Sequence, residues 1–181
     1  IIYNEKLVKN PPTSFADLWR PEFKNRIVLP DINHSIGPYI VPIGSIAAGK
    51  APTDTATGFE MLKKMAALQP IWAKDTDSIM NALRSEEAVI GLLYKSQAFT
   101  VQNWGTAVKW VYPKEGAILY SSGTAIAKGT KNLELAEQFL NLTLDPKIQT
   151  TYADKFNYPG TNNHMTGLLP PPLQERVRLT S

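Results

Sequence analysis

The residues most able to contact a ligand are hydroxyl and aromatic side chains that follow predicted β-strands. In an open α/β sheet, ligands bind at the carboxyl ends of the strands, where helix N-termini also point. Aromatic faces rimmed by hydroxyl groups suit a small polar or cationic molecule. Ordinary helix caps produce the same pattern, so by itself it is a weak indication. The six candidate binding residues are Ser35, Thr76, Tyr94, Ser96, Tyr120 and Ser122.

Other motifs favour structural roles over catalysis. Residues 44–50 read G-x-x-x-x-G-K, but Ala51 stands where a phosphate loop needs a hydroxyl for Mg²⁺, and the glycines end a predicted helix. His34 and His164 are far apart and lack partners at metal-ligand spacing, so we expect solvated loop histidines and no metal site. The acidic residues around Asp75 are interpreted as a helix cap. No Gly-x-Ser-x-Gly motif is present.

Composition excludes several classes of function. The chain has 181 residues and no cysteine, which excludes disulfides, cysteine-ligated metals and thiol nucleophiles. A net charge of +3 without a basic cluster argues against nucleic-acid binding. The longest apolar run, residues 88–94, is far shorter than the roughly 20 residues of a membrane span. With 43% hydrophobic residues the chain can bury a core. Because no cofactor-binding motif was identified, we expect no cofactor.

Strand-like and helix-like segments alternate along most of the chain. This alternation predicts an α/β fold with a mostly parallel central sheet flanked by helices. Clear helix starts are Ser14, with Asp17 as its capping-box partner, and Asp145 followed by a proline. From Tyr158 onward we expect extended chain. The predicted strands lie at 1–3, 26–30, 71–73, 88–94, 108–112 and 117–127, and the predicted helices at 14–19, 36–48, 78–84, 96–104, 133–144 and 145–156, with a further helix opening at 53–57.

Five motifs, in order along the chain, carry a family resemblance. They are PTSFADLWRPEFKNRI at 12–27, VYPKEG at 111–116, AIAKGTKN at 125–132, LAEQFLN at 135–141 and YPGTN at 158–162. On these motifs the chain resembles the bacterial extracellular solute-binding proteins, the receptors of ABC importers. The resemblance is to the branch that holds polyamine, ferric-iron and related small-molecule binders.

The resemblance implies a type II periplasmic-binding-protein architecture, in which two α/β lobes joined by crossing strands hold ligand in a cleft. On that template residues 1–114 are the core of the second lobe, beginning at a hinge strand, and 115–127 are a crossing strand. Residues 128–165 are helices of the first lobe, and 166–181 are an extended tail. The amino-terminal part of the first lobe has no counterpart, so we expect a fragment whose signal peptide lies elsewhere.

The same resemblance bears on the ligand. Polyamine binders of this family carry Trp at the positions of Tyr94 and Tyr120, Asp at Ser122, Glu at Ser35 and Ser at Thr76. The aromatic character is kept in this chain, whereas both carboxylates are replaced by hydroxyls. Because a buried diammonium needs compensating charge, a typical polyamine is disfavoured.

Iron is disfavoured by a neighbouring position. Ferric binders of the family carry adjacent tyrosines where this chain has Tyr94 and Lys95, which puts a cation at the implied iron site. A small amino-acid-like amine or zwitterion is therefore the favoured ligand, with ferric iron or a polyamine as alternatives.

The predicted function is that of a non-catalytic, periplasmic, substrate-binding component that delivers a small molecule to the membrane permease of an ABC importer. One alternative is an effector-sensing domain of a regulator. Another is an enzyme on the same fold, although relatives of that kind use a cysteine nucleophile that this chain lacks. We also expect self-association through apolar surface on the helix at 133–144.

Overall fold

The computed structural model describes residues 1–178, which form two compact units, one over residues 1–118 and one from Leu119 onward. The first unit is built on a sheet whose core strands are short and apolar. Its strands are β1 (Ile2–Asn4), β2 (Ile27–Pro30), β3 (Ile71–Ala73), β4 (Ile90–Gly91) and β5 (Val108–Trp110).

The strand order is β3-β2-β4-β1-β5. β2 pairs in parallel with β3 and β4, and β1 pairs antiparallel with β4 and β5. Four of these five strands therefore run in one direction, and β1 makes the sheet mixed. The predicted α/β class with a mostly parallel sheet is confirmed.

Helices follow the strands in the first unit. Asp54 and Asp75 cap the second and third of these helices by accepting backbone N–H groups of Thr57 and Ser78, respectively. The helices are α1 (Ile40–Ala47), α2 (Thr55–Ala67), α3 (Thr76–Arg84) and α4 (Lys95–Asn103), with 3₁₀ segments at Phe15–Trp19, Pro21–Phe23 and Gly37–Tyr39.

The alternation of side chains along β2 builds two apolar layers. Ile27 and Leu29 are buried in a cluster with residues of α1 and α2, while Val28 is buried in a second cluster with residues of α3 and α4. Gly91 of β4 lets the backbone approach Val28, because a Cβ there would collide with the Val28 carbonyl oxygen. β2 is therefore held between two helical layers.

Two strand predictions need correction. The predicted strand at 88–94 contracts to Ile90–Gly91, and the predicted crossing strand within 115–127 has no regular secondary structure. A strand needs a paired backbone, and no described strand pairs with the 115–127 segment. Leu119 in that segment is 72% exposed, so its apolar character is not used for packing either.

The second unit is helical. It contains α5 (Leu133–Thr143), α6 (Pro146–Phe156), a 3₁₀ segment at Asn163–Leu168 and α7 (Pro171–Val177). The prediction of an extended tail at 166–181 is wrong over α7, and residues 179–181 lie outside the described part of the chain.

α7 can begin at a proline because the N–H groups of the first helical turn have no partner within the helix. The N–H that proline lacks is therefore not missed at this position. Leu173 and Val177, four residues apart, then bury themselves in a cluster with Ala153 and Met165. The run of prolines therefore starts a helix instead of preventing one.

Candidate ligand-binding site

The candidate site lies at one edge of the sheet in the first unit. β2, β3 and β4 run parallel, so their carboxyl ends meet at this edge. The chain leaves β2 into the loop 31–37, leaves β3 into the start of α3, and leaves β4 towards the start of α4. Three of the predicted binding residues lie on these exits, namely Ser35, Thr76 and Tyr94.

The loop 31–37 is held by successive turns. The Asp31 carbonyl accepts the His34 N–H at 3.1 Å, and the His34 carbonyl accepts the Gly37 N–H at 2.8 Å. The Asp31 carboxylate accepts the Asn33 N–H at 2.7 Å. Gly37 is required by the close packing of these turns, since a Cβ there would lie 2.7 Å from the Asp31 carbonyl carbon.

His34 is buried, with only 5% of its surface exposed, so the prediction of a solvated loop histidine is wrong. Its Nδ1 accepts the Ile36 N–H at 3.0 Å. The neutral ring must then carry its proton on Nε2, which lies 3.1 Å from Thr76 Oγ1 and donates to it. Burial lowers the pKa of His34, against the opposing charges of Asp31 and Asp75.

Ser35 and Tyr94 form a hydroxyl pair. Ser35 Oγ and the Tyr94 hydroxyl oxygen are 2.5 Å apart. The Tyr94 ring also lies beside the His34 ring, with centroids 6.0 Å apart and planes inclined by 32°. The structure thus connects Ser35, Tyr94 and Thr76 into one cluster through His34, a residue that the sequence alone did not place in the site.

The available signal for His34 was its place in the chain. It lies directly before Ser35, in a loop that follows a buried strand. What the sequence does not display is the hydrogen bond to Thr76, which is 42 positions further along the chain. Without that contact, a histidine in a loop is expected to face solvent.

Ser96 has a different setting from the other first-unit candidates. It lies in the first turn of α4 with 7% of its surface exposed, and its hydroxyl donates to Gln97 Oε1 at 2.5 Å. Its side chain therefore contributes to the packing of α4.

Lys95 directs its charge towards β5. Its Nζ lies 4.8 Å from the ring centroid of Trp110 and 5.8 Å from that of Tyr112. Burial raises the pKa of Tyr112, so this phenol stays neutral beside the ammonium group. The expectation that Lys95 puts its cation at the site of Tyr94 thus overlooked two aromatic rings that attract the cation elsewhere.

Tyr120 and Ser122 belong to the second unit. Both are exposed, Tyr120 at 45%, on the segment that has no regular secondary structure. Their role in binding stays a prediction.

Within residues 1–178 there is no group of three or more His, Asp or Glu side chains placed to hold a metal ion. None of the helices in that range has both the length and the apolar character that a membrane span requires.

Comparison with known proteins defines the class of the chain. A family model described as bacterial extracellular solute-binding protein matches residues 1–174. The chain belongs to this family.

Particular relatives carry more specific names. The chain is 31% identical to a spermidine/putrescine-binding periplasmic protein of Salmonella typhimurium over 88% of this chain and 45% of that one. It is 24% identical to a γ-aminobutyric acid-binding protein of Pseudomonas aeruginosa, over 97% of this chain and 51% of that one. The chain thus spans about half the length of the curated relatives it matches.

A solved structure supports the fold. The crystal structure of a spermidine/putrescine ABC transporter substrate-binding protein from Streptococcus pneumoniae, in complex with calcium and HEPES, matches with a TM-score of 0.72 and 24% identity. The match covers 96% of this chain and 54% of that one.

Proposed function

We propose that the protein is the substrate-binding component of an ABC importer and that it captures a small polar solute for delivery to a membrane permease. The observation that carries this proposal is the connected cluster of Ser35, Tyr94 and Thr76 at the carboxyl edge of three parallel strands, in a chain of the solute-binding family. Such an edge is where open α/β sheets bind ligands. The protein works in this proposal without catalysis, in the periplasm.

The residue types of the cluster favour an amino-acid-like amine or zwitterion. Tyr94 offers an aromatic face to an ammonium group, and Ser35 and Thr76 offer neutral hydroxyls. A relative named for γ-aminobutyric acid is consistent with a ligand of this class. Tyr120 and Ser122, on the 115–127 segment, are the further candidate binding residues of this proposal.

A polyamine is the second candidate. It is favoured by the relatives named for spermidine and putrescine, which match at up to 31% identity. Against it, none of the six candidate binding residues is a carboxylate, and the nearby carboxylates of Asp31 and Asp75 already accept the backbone N–H groups of Asn33 and Ser78. Burying two ammonium charges without partners is costly. Ferric iron, the other alternative, would find only one of the adjacent tyrosines of the family's ferric binders here, because Lys95 follows Tyr94.

The proposed division into lobes follows the family architecture. Residues 1–114 would form the second-lobe core, and the helices within 128–165 would belong to the first lobe.

Titration calorimetry of the full-length natural protein tests the function. The probes are γ-aminobutyrate, putrescine, spermidine and ferric citrate, and mass analysis of the recovered probe tests for turnover. We expect γ-aminobutyrate to bind and to be recovered unchanged. Absence of binding by all four probes would refute the proposed ligand classes, and a chemically altered probe would refute the non-catalytic role.

Two substitutions of one residue sharpen this test. Tyr94→Phe keeps the ring and loses the hydroxyl, so it should retain affinity within a few-fold. Tyr94→Ala removes the ring, and we expect an affinity loss of about tenfold, in line with a desolvated cation–π contact of about 1–2 kcal/mol. Phe59→Ala, which changes an exposed aromatic residue on α2, is the matched control. Equal affinities for the two Tyr94 variants would exclude the ring as an ammonium contact.

A further inference from the structure

His34 bridges two exits of the sheet edge. One ring nitrogen accepts the Ile36 N–H within its own loop, and the other reaches Thr76 at the start of α3. The ring also packs against Tyr94 at the start of α4. One buried side chain therefore contacts all three segments that carry the candidate cluster.

The direction of these hydrogen bonds determines whether the Thr76 hydroxyl accepts from His34 or donates to it. Because Nδ1 is an acceptor, Nε2 is the donor, and Thr76 Oγ1 must accept. The Thr76 hydroxyl hydrogen then points away from His34. Within residues 1–178 the Thr76 side chain makes no other hydrogen bond, so this hydrogen is available to an acceptor outside the protein.

Protonation of His34 would undo part of this arrangement. A charged imidazolium has hydrogens on both nitrogens and cannot accept the Ile36 N–H. The groups that face the ring are the carboxylates of Asp31 and Asp75, with Lys74 beside Asp75, and the Tyr94 ring. The two carboxylates favour the charged ring and burial opposes it.

We infer that His34 is a positioning residue for ligand binding: its neutral Nε2–H tautomer holds the Ser35 loop and presents the Thr76 hydroxyl as a hydrogen-bond donor to an acceptor atom of the ligand. This inference rests on the proposed function. It adds that affinity depends on the protonation of a residue that need not touch the ligand, and that affinity falls as the site is acidified.

The test compares ligand affinity at pH 7.5 and 5.5 in the full-length natural protein. γ-Aminobutyrate is the first probe, because its carboxyl and amino groups ionise near pH 4 and pH 10, outside this window. We expect affinity to fall on acidification by at most about tenfold, since a histidine whose pKa is below 6.5 is at most about 90% protonated at pH 5.5. Binding of putrescine or spermidine alone would overturn the donor role of Thr76, because a protonated polyamine has no hydrogen-bond acceptor.

Three variants separate positioning from simple support of the fold. His34→Gln keeps an amide that can donate to Thr76 and cannot be protonated, so its affinity should be near that of the natural protein at pH 7.5 and should not change down to pH 5.5. His34→Ala removes both hydrogen bonds and should bind about tenfold more weakly at both pH values. His164→Gln, which replaces the other histidine of the 181-residue chain, should keep the pH dependence.

A measurement without ligand makes the outcome independent of the choice of probe. Nitrogen-15 NMR of the imidazole distinguishes the two tautomers and gives the pKa. We expect His34 to carry its hydrogen on Nε2 and to titrate below 6.5. A hydrogen on Nδ1, a pKa of 6.5 or above, or an unchanged pH dependence in His34→Gln would overturn the inference.

The two proposals fail in different ways. Loss of the proposed function appears as absence of binding by every probe to the natural protein. Failure of the His34 inference appears as normal binding whose affinity or pH dependence does not change when His34 is substituted. It also appears as a hydrogen on Nδ1 of His34 in the unliganded protein.

Discussion

Replacing Gly37 by alanine should displace the loop that carries His34 and Ser35. A Cβ at this position would lie 2.7 Å from the Asp31 carbonyl carbon and 2.9 Å from Ile32 Cα, and it would collide with the Asp31 oxygen. Ordinary carbon–carbon contacts are about 3.5–4.0 Å, so the loop must move by about 1 Å. The obstacle is backbone, which cannot rotate aside as the end of a flexible side chain can.

The size of the effect follows from that displacement. Overpacking of this kind costs about 1–3 kcal/mol, and a backbone obstacle favours the upper end. For a chain of this length 3 kcal/mol corresponds to a fall in Tm of about 6–12 °C. If Ser35 takes up the shift, its 2.5 Å contact with the Tyr94 hydroxyl lengthens to about 3.5 Å, beyond a normal hydrogen bond.

Thermal unfolding followed by circular dichroism, together with calorimetric binding of γ-aminobutyrate, measures both consequences. The matched control is Gly167→Ala, because a methyl group added to Gly167 would have no described atom within 4 Å and the residue lacks a left-handed φ. That change should be neutral or stabilising by about 0.4–1 kcal/mol. A Gly37→Ala protein with an unchanged Tm and unchanged binding would show that the loop is not sterically fixed and would refute the reasoning.

Three further predictions concern stability and association. Asp145→Ala should destabilise α6 by about 1 kcal/mol in urea unfolding, because the Asp145 carboxylate accepts the N–H groups of Lys147 at 2.8 Å and Ile148 at 3.2 Å. Asp145→Asn keeps a capping oxygen and should lose much less stability. Equal losses of stability in the two variants would argue against the cap. The free energy of unfolding should fall as pH drops below about 6.5, because burial lowers the pKa of His34 in the folded state and the unfolded chain therefore takes up the proton first. Measurement of Tm from pH 7.5 to 5 tests this, and His34→Gln should remove the fall. The 181-residue chain should self-associate through α5, which has no buried residue and exposes Leu135 at 65% and Phe139 at 60%. Light scattering should show that the association weakens in a Leu135→Glu/Phe139→Glu double variant. A monomer at all concentrations of the unsubstituted chain would contradict this prediction.

Local signals in the sequence predicted the elements whose cause is local. Ser14 accepts the Ala16 N–H and Asp17 accepts the Ser14 N–H, which is the capping box that their spacing indicated. Asp145 and the proline after it start α6 as predicted. In each case the side chain that determines the start of the helix lies within a few residues of the backbone it caps.

The elements that were missed depend on distant contacts. Residues 88–94 have strand-like composition along their whole length, but only Ile90 and Gly91 form the described strand. The 117–127 segment is similarly strand-like and lacks a described pairing strand. Composition indicates that a segment can form a strand, and the presence of a pairing strand decides whether the strand forms.

The candidate site shows the same division. Strand-end position correctly placed Ser35, Thr76 and Tyr94 near one another, because parallel strands end at a shared edge. It could not identify His34 as the residue that joins them, because burial of an imidazole depends on the packing of two helix starts around it. The predictions for Ser96, Tyr120 and Ser122 as ligand contacts remain open to the binding measurements above.

The position of β1 has a consequence for how the protein folds. Ile2 pairs with Gly91 on one side and with Trp110 on the other, so a strand near the start of this sequence is an interior strand of the sheet. Its hydrogen-bonding partners lie 89 and 108 positions further along the chain. Such distant pairing raises the contact order and slows folding, because the entropy of closing a long loop is lost before any ladder forms. On a ribosome β1 must remain unpaired until β4 has been synthesised, and its other edge until β5 has been synthesised. During that interval its apolar residues are available to chaperones or to other nascent chains.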